Sequence, residues 1–325
     1  MRCNARIFLA VFVLATLLVI AAAASLYDVY ARPGPASVPT TVLVPKGATV
    51  SEIASTLERS RIVSSAAVFR IAARIGQEQG VLQAGEYAFP AAVRMGEVLA
   101  TLRAGDVLVR RLTVPEGLTS RQVVALVQEA EGLDGEIVAL PVEGALLPET
   151  YNYSRGDSRG DLIRRMSAAM TAVLDELWAA RAPGLPLGSP RDALILASIV
   201  EKETALPEER PRVAAVFLNR LRSGMRLQAD PTVAYAVHGG GGGALSLADL
   251  QSPSPYNTYA YEGLPPGPIA NPGRASIGAV LRPARSDELY FVADGSGGHA
   301  FSRSLDEHQR NVARWRRVSE HTATP

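Results

Sequence analysis

The 325-residue sequence predicts an α+β fold carried behind one membrane-spanning helix, and three observations support that reading. Residues 7–26 are apolar except for Thr16 and Ser25. Beyond them, short β-branched segments alternate with stretches whose apolar residues recur at helical spacing. The length suffices for two or three domains at ~100–200 residues each.

Composition removes several function classes. Lys plus Arg number 33 and Asp plus Glu 32, a net charge of +1, so the chain lacks the basic surplus of phosphate-tracking proteins and no nucleic-acid partner is expected. With 47% hydrophobic and 20% charged residues it is not a disordered chain. Cys3 is the single cysteine, which rules out an intrachain disulfide or a cysteine-based zinc site. His238, His299, His308 and His321 show no H-E-x-x-H or other tight ligand spacing, so neither a metal nor a cofactor is expected. The mean hydropathy of +0.10 is high for a soluble enzyme, and the excess sits at the N-terminus.

Taken in order, residues 7–26 supply the ~20 apolar residues that a helix needs to cross ~30 Å of hydrocarbon. Arg2 and Arg6 favour a cytoplasmic N-terminus, and Tyr27 and Tyr30 stand where an interfacial belt belongs. Small residues at 21–25 offer a signal-peptide alternative, but the run exceeds the ~7–15 residues of a typical cleaved signal, so an uncleaved anchor is expected. Residues 32–39 (R-P-G-P-A-S-V-P) read as an extended, Pro-rich stalk. A β-branched run at 41–44, a Pro45-Lys46-Gly47 turn and a helix at 51–57 follow, and the same design recurs in L-T-V-P-E-G-L-T at 112–119 before a helix at 122–127. Thr49 and Thr119 are the predicted N-caps. Residues 82–87 read as a hairpin-like turn, 95–102 as a helix, and Gly105-Asp106 as the turn before a second domain. The expected segmentation is therefore residues 1–36, 37–106 and 107–325.

In the third segment, residues 161–181 predict an amphipathic helix, and Ser189, Pro190 and Asp192 mark the start of another that runs to Thr204. Pro207 opens a further helix ending near Ser223-Gly224. Residues 226–232 read as extended, placing Gln228 and Asp230 on one side before Pro231 turns the chain. A strand at 289–293 and a last helix at 305–318 close the chain.

Two motifs are decoys. G-D-S-R-G at 156–160 fits G-x-S-x-G, and H-G-G-G at 238–241 fits a lipase oxyanion loop. No apolar strand precedes Ser158, and the two motifs come in the wrong order, so both read as turns. Glu201 is sharper, because it shares a helical face with Leu194, Ala197 and Ser198 and so continues a buried stripe. Lys202 and Glu203 turn to other faces, where either can be solvated. A carboxyl pressed among apolar groups has its charged form disfavoured, as a general acid near neutral pH requires. The bland alternative is a helix-ending Glu paired with a basic side chain. Tyr256, Asn257, Tyr259 and Tyr261 add rings and an amide suited to sugar faces and N-acetyl groups, or simply form a surface loop. One acid among such groups suggests carbohydrate chemistry without settling the class.

A-S-I-V-E-K-E-T at 197–204, E-G-A-L-L-P-E-T-Y at 143–151, G-M-R-L-Q-A-D-P-T-V at 224–233, Y-N-T-Y at 256–259, G-L-P-P-G-P-I at 263–269 and Y-F-V-A-D-G at 290–295 together resemble the YceG-like (MltG) endolytic murein transglycosylase family. The resemblance implies a single-pass inner-membrane protein with a LysM-like subdomain and a periplasmic catalytic domain. It implies cleavage of the MurNAc-GlcNAc β-1,4 bond within peptidoglycan glycan strands with formation of 1,6-anhydro-MurNAc, limiting nascent strand length, with peptidoglycan synthases as expected partners. Glu201 falls on the family's catalytic glutamate, and Gln228, Asp230, Tyr256, Asn257 and Tyr259 on expected substrate-binding positions. The match is loose at residues 239–243 and 299–302. Two alternatives remain: a muramidase using Glu201 and Asp230, and a noncatalytic glycan-binding scaffold.

Overall fold

A computed structural model describes residues 2–241 and 243–322 and divides the chain into two compact units. The first runs through Arg110 and takes in Tyr153–Gly156; the second comprises Arg111–Asn152 and Asp157 onward. Helix and strand make up 48% and 10% of the chain, so helix burial, not sheet formation, carries the architecture.

Unit 1 begins with α1 (Arg2–Ala31), followed by β1 (Thr40–Val44), α2 (Val50–Arg59), α3 (Ala66–Ile75), β2 (Gly85–Phe89) and α4 (Met95–Ala104). Within α1, Leu9–Ala31 is long and apolar enough to cross a membrane, 23 residues against the 20 expected, and it is exposed except at its last turn, where Val29 and Tyr30 are partly buried. The side chains of Arg2 and Arg6, on which the expected orientation draws, lie outside the described residues. The helix stops one residue before Arg32-Pro33, as a residue preceding proline favours. Residues 33–36 are not a free stalk: Pro33 bridges Arg94, the Gly34 amide donates to the Val93 carbonyl at 3.0 Å, and the Ala92 amide donates to the Ala36 carbonyl at 2.8 Å.

Thr49 caps α2 in a full capping box with Glu52. The expected turn at 82–87 is instead the start of β2, which pairs antiparallel with β1 so that Leu43 faces Glu86 and Val42 faces Tyr87. The alternating inward residues Val42, Val44, Tyr87 and Phe89 join Leu57, Ile62, Phe69 and Leu102 in one core. Helix α3, whose Val68, Phe69 and Ala73 enter that core, escaped the sequence reading.

Unit 2 contains β3 (Arg110–Thr113), α5 (Ser120–Glu129), β4 (Leu133–Asp134), β5 (Thr150–Tyr153), β6 (Asp157–Ser158), α6 (Arg159–Ala179), α7 (Pro190–Glu203), α8 (Arg210–Arg222), α9 (Asp230–His238), α10 (Arg274–Leu281), β7 (Tyr290–Ala293), β8 (His299–Ser302) and α11 (Leu305–Thr322), apart from the end residues Arg110 of β3 and Tyr153 of β5, which fall in unit 1. Its strands form three two-stranded pairs, β3–β5, β4–β6 and β7–β8, the second parallel and the third antiparallel. Helices α7, α8 and α10 pack mutually to form the centre, where Leu196, Ile199, Val213, Val216, Ile277 and Val280 are wholly buried. Thr119 caps α5 with Gln122, repeating the design of Thr49. The decoy serine, Ser158, accepts the Asp161 amide as the N-cap of α6, and the decoy Gly239 ends α9 in the left-handed conformation. Residues 226–232 are not one extended stretch, because α9 begins at Asp230 with Pro231 in its first turn.

Candidate active site

Helix α7 explains why an acid stands in the interior of unit 2. Ser189 and Asp192 close a capping box around Pro190, and the helix then buries Ala193, Leu196, Ala197, Ile199 and Val200 completely. Ser198 satisfies its hydroxyl within this core, donating to the Ile195 carbonyl at 2.7 Å and accepting the Ile269 amide at 3.0 Å. A helix so enclosed carries its next residue inward, and the Glu201 side chain is only 5% exposed.

The two oxygens of Glu201 have different partners. Oε1 accepts from Arg210 Nη2 at 3.1 Å, and Oε2 accepts the Gly273 amide at 2.9 Å. Gly273 is the N-cap of α10, so the carboxyl sits at the positive end of that helix. The same Arg210 nitrogen also donates to Glu116 Oε2 at 2.9 Å, joining two carboxylates through one guanidinium. Burial pushes the Glu201 carboxyl above its ordinary range. The Gly273 amide, the neighbouring Ser276 hydroxyl and Arg210 pull it down, Glu116 pushes it up again, and the net direction is upward.

Two glycines make room for this arrangement. A Cβ on Gly273 would lie 1.8 Å from Glu116 Oε1, so no larger residue fits without displacing that carboxylate. Gly117 adopts φ +78° above Glu201, in a turn fixed by its amide's bond to the Asn271 carbonyl (3.0 Å) and the Asn271 amide's bond to the Leu118 carbonyl (2.8 Å). The Asn271 side chain continues the network, accepting the Leu146 amide at 2.8 Å and donating to the Leu118 carbonyl at 3.0 Å. Glu143 accepts the Ser120 amide at 2.7 Å and the Tyr235 hydroxyl at 3.3 Å.

The expected cleft residues divide into separate groups. Asp230 accepts the Tyr259 hydroxyl at 2.6 Å. Glu203, which the sequence left free to be solvated, lies next to them: burial first, then the Asp230 charge, push it up to about 8 against the pull of Arg220. Tyr256 packs against Tyr235 with ring centres 5.1 Å apart. Gln228 is exposed at φ +51°, with its backbone N–H donating to the Thr258 carbonyl at 3.1 Å. Asn257 departs from the expectation: it is wholly buried, and its amide holds the Leu250 and Ser252 carbonyls and the Tyr259 amide, which commits it to shaping the loop. Among the described residues, the hydrogen bonds of the Glu201 carboxyl run to Arg210 and Gly273 and not to these five. Sequence reasoning missed Arg210, Glu116 and Gly273, although Glu116 and Gly273 each stand beside a glycine or proline punctuating a turn.

The YceG-like family model matches residues 42–314. Relatives named endolytic murein transglycosylase are 31% identical in Bacillus subtilis (strain 168), over 82% of this chain and 82% of that one, and 31% identical in Streptococcus pneumoniae (strain D39), over 84% of this chain and 58% of the longer relative. A crystal structure of a yceG-like protein from Listeria monocytogenes superposes with a TM-score of 0.53 at 30% identity, over 84% of this chain and 98% of that one. The motifs from Glu143 to Gly295 fall inside the matched span, and the chain belongs to the YceG-like family.

Proposed function

We propose that the chain is an endolytic murein transglycosylase that cuts the MurNAc-GlcNAc bond within peptidoglycan strands, with Glu201 as its acid and base. The observation that carries this reading is the buried carboxyl of Glu201, raised by desolvation and held between Arg210 and the Gly273 amide, with Glu116 engaged by the same guanidinium. A hydrolytic glycosidase needs two carboxylates, one of them to activate or replace water. A lytic enzyme needs one. Protonated Glu201 gives its proton to the glycosidic oxygen as the C1–O bond breaks. The resulting carboxylate is stabilised by Arg210 and the Gly273 amide until it takes the proton of the muramic C6 hydroxyl, whose oxygen closes on C1 as the 1,6-anhydro ring. No water is consumed, and the carboxyl returns to its starting state.

The names of the relatives support the substrate class, and Leu9–Ala31 supports a single-pass anchor. The orientation we propose, with the N-terminus cytoplasmic and both units in the periplasm, rests on Arg2 and Arg6. Unit 1, with its own core and paired outer strands, is proposed as the LysM-like glycan-binding module. Trimming of nascent strands beside their synthases follows from that location. Glu201→Gln in the full chain is expected to lower anhydro-ended products from isolated glycan strands by at least about 10²-fold, read by mass spectrometry. Undiminished anhydro products would remove Glu201 from the chemistry. Reducing ends, one water heavier, would make the enzyme a hydrolase.

A further inference from the structure

Helix α3 carries two faces of different character. Val68, Phe69 and Ala73 are buried in the core of unit 1. The other face is formed by Ala67, Arg70, Ile71, Arg74 and Ile75, a stripe at i, i+3, i+4, i+7 and i+8 that faces solvent. Ile75 is 80% exposed and the nearby Val81 83% exposed. With Val50 and Leu82 they line an apolar groove of about 720 Å³, whose charged lining among the described residues is Arg70 and Arg74 alone. A soluble domain gains nothing by holding two large aliphatic side chains in water beside two arginines.

The position of the stripe in unit 1 says what covers it. Helix α1 packs against α3 and α4, with Val29 and Tyr30 of its last turns entering the unit 1 core. If Leu9–Ala31 spans a bilayer, α3 is held beside the point where the anchor leaves it. Aliphatic residues interleaved with arginines are the composition of a helix that lies in a headgroup layer, the apolar side chains reaching inward and the guanidinium groups meeting anionic phosphates.

We infer that the α3 face, with Val81, docks on the surface of the membrane that α1 spans, and that anionic lipid headgroups engage Arg70 and Arg74. The docking fixes unit 1 against the bilayer instead of leaving it to swing on its anchor. It rests on the anchor reading above and is independent of the glycan chemistry. Each arginine at an anionic surface contributes roughly a fivefold factor to the docked population.

The test uses the full chain with Cys3→Ser and Ile75→Cys, labelled with an environment-sensitive fluorophore and reconstituted into phosphatidylglycerol–phosphatidylcholine vesicles. Flotation of the vesicles reports the anchor. Quenching of the label by acyl-brominated lipid reports the docking. The expected result is a blue-shifted, quenched label that floats with the vesicles, with quenching lost in pure phosphatidylcholine and in Arg70→Glu/Arg74→Glu. A chain that floats while the label stays aqueous and unquenched overturns the docked surface alone, as it does if the groove serves a protein partner. A chain that fails to float overturns the anchor and the surface together. Quenching that survives both the charge reversal and the neutral lipid overturns the headgroup contact.

Discussion

Burial raises the Glu201 carboxyl, and on top of that two charged neighbours push it in opposite directions, which makes its role testable without removing it. Arg210 favours its charged form and Glu116 its protonated form. If the protonated carboxyl starts the reaction, the alkaline limb of the pH–rate profile follows its titration. Arg210→Gln should therefore move that limb to higher pH, and Glu116→Gln, which also releases Arg210 to pair with Glu201 alone, should move it lower. Two shifts in the same direction would separate the limb from Glu201. Glu203 yields a second prediction, on stability. Its folded-state value of about 8 lies above the ordinary 4.5, so between these values the folded chain holds a proton that the unfolded chain has lost. Its contribution is most favourable below the lower value and is lost as pH rises to the upper one. The melting temperature of the wild type should thus fall relative to Glu203→Gln across this window, and a constant difference would deny the shift. Glu201 could be read from sequence because one helix face determines its burial. Its partners could not: Gly273 is 72 residues away and Glu116 lies 94 from Arg210, distances that no local pattern spans.

Among the elements, those that announce themselves locally were legible. Thr49, Thr119 and Ser189 each head a helix with a reciprocal capping box, and all three starts follow from side chains within four residues. Strand β2 was not legible, because its partner β1 is some 40 residues earlier and only the ladder distinguishes Gly85–Phe89 from a turn. Helix α9 lacked a signal because its cap, Ala229, offers no side-chain acceptor. Helix α10 is eight residues long with Gly278 inside it, and it forms because α7 and α8 cover it. Two expected outcomes belong here. Thr119→Ala should cost at least about 1 kcal/mol in urea unfolding, with faster amide exchange concentrated in α5, since the cap is lost together with a buried methyl. Gly273→Ala should leave the circular dichroism of α10 unchanged, because its φ of −74° suits alanine. The new Cβ occupies the place of Glu116 Oε1, however, so activity should drop at least about tenfold through a displaced Glu116–Arg210–Glu201 arrangement. Full activity would show that Glu116 is dispensable to the site.

At the scale of the whole molecule, the two units have cores with no residue in common: Leu57, Phe69, Tyr87 and Leu102 in one, Leu196, Ile199, Phe217 and Val280 in the other. Stability built from separate cores need not be lost in one step, and a chain of this size is one where two-state behaviour commonly fails. Leu102 is wholly buried in unit 1, so Leu102→Ala removes its packing and leaves a cavity, a loss of about 2–5 kcal/mol. In peptide-resolved hydrogen exchange that loss should appear across β1, α2, β2 and α4 and leave α7 and α8 as protected as in the wild type. Phe217→Ala should do the reverse, exposing α7, α8 and α10 at a cost of about 3–5 kcal/mol while β1 and β2 keep their protection. If either substitution lowers protection evenly through both units, they fold as one cooperative body. If each stays local, the two units are independent folding units, and under the docking proposed for α3 a destabilised unit 1 would lose the surface without unfolding the helix that carries Glu201.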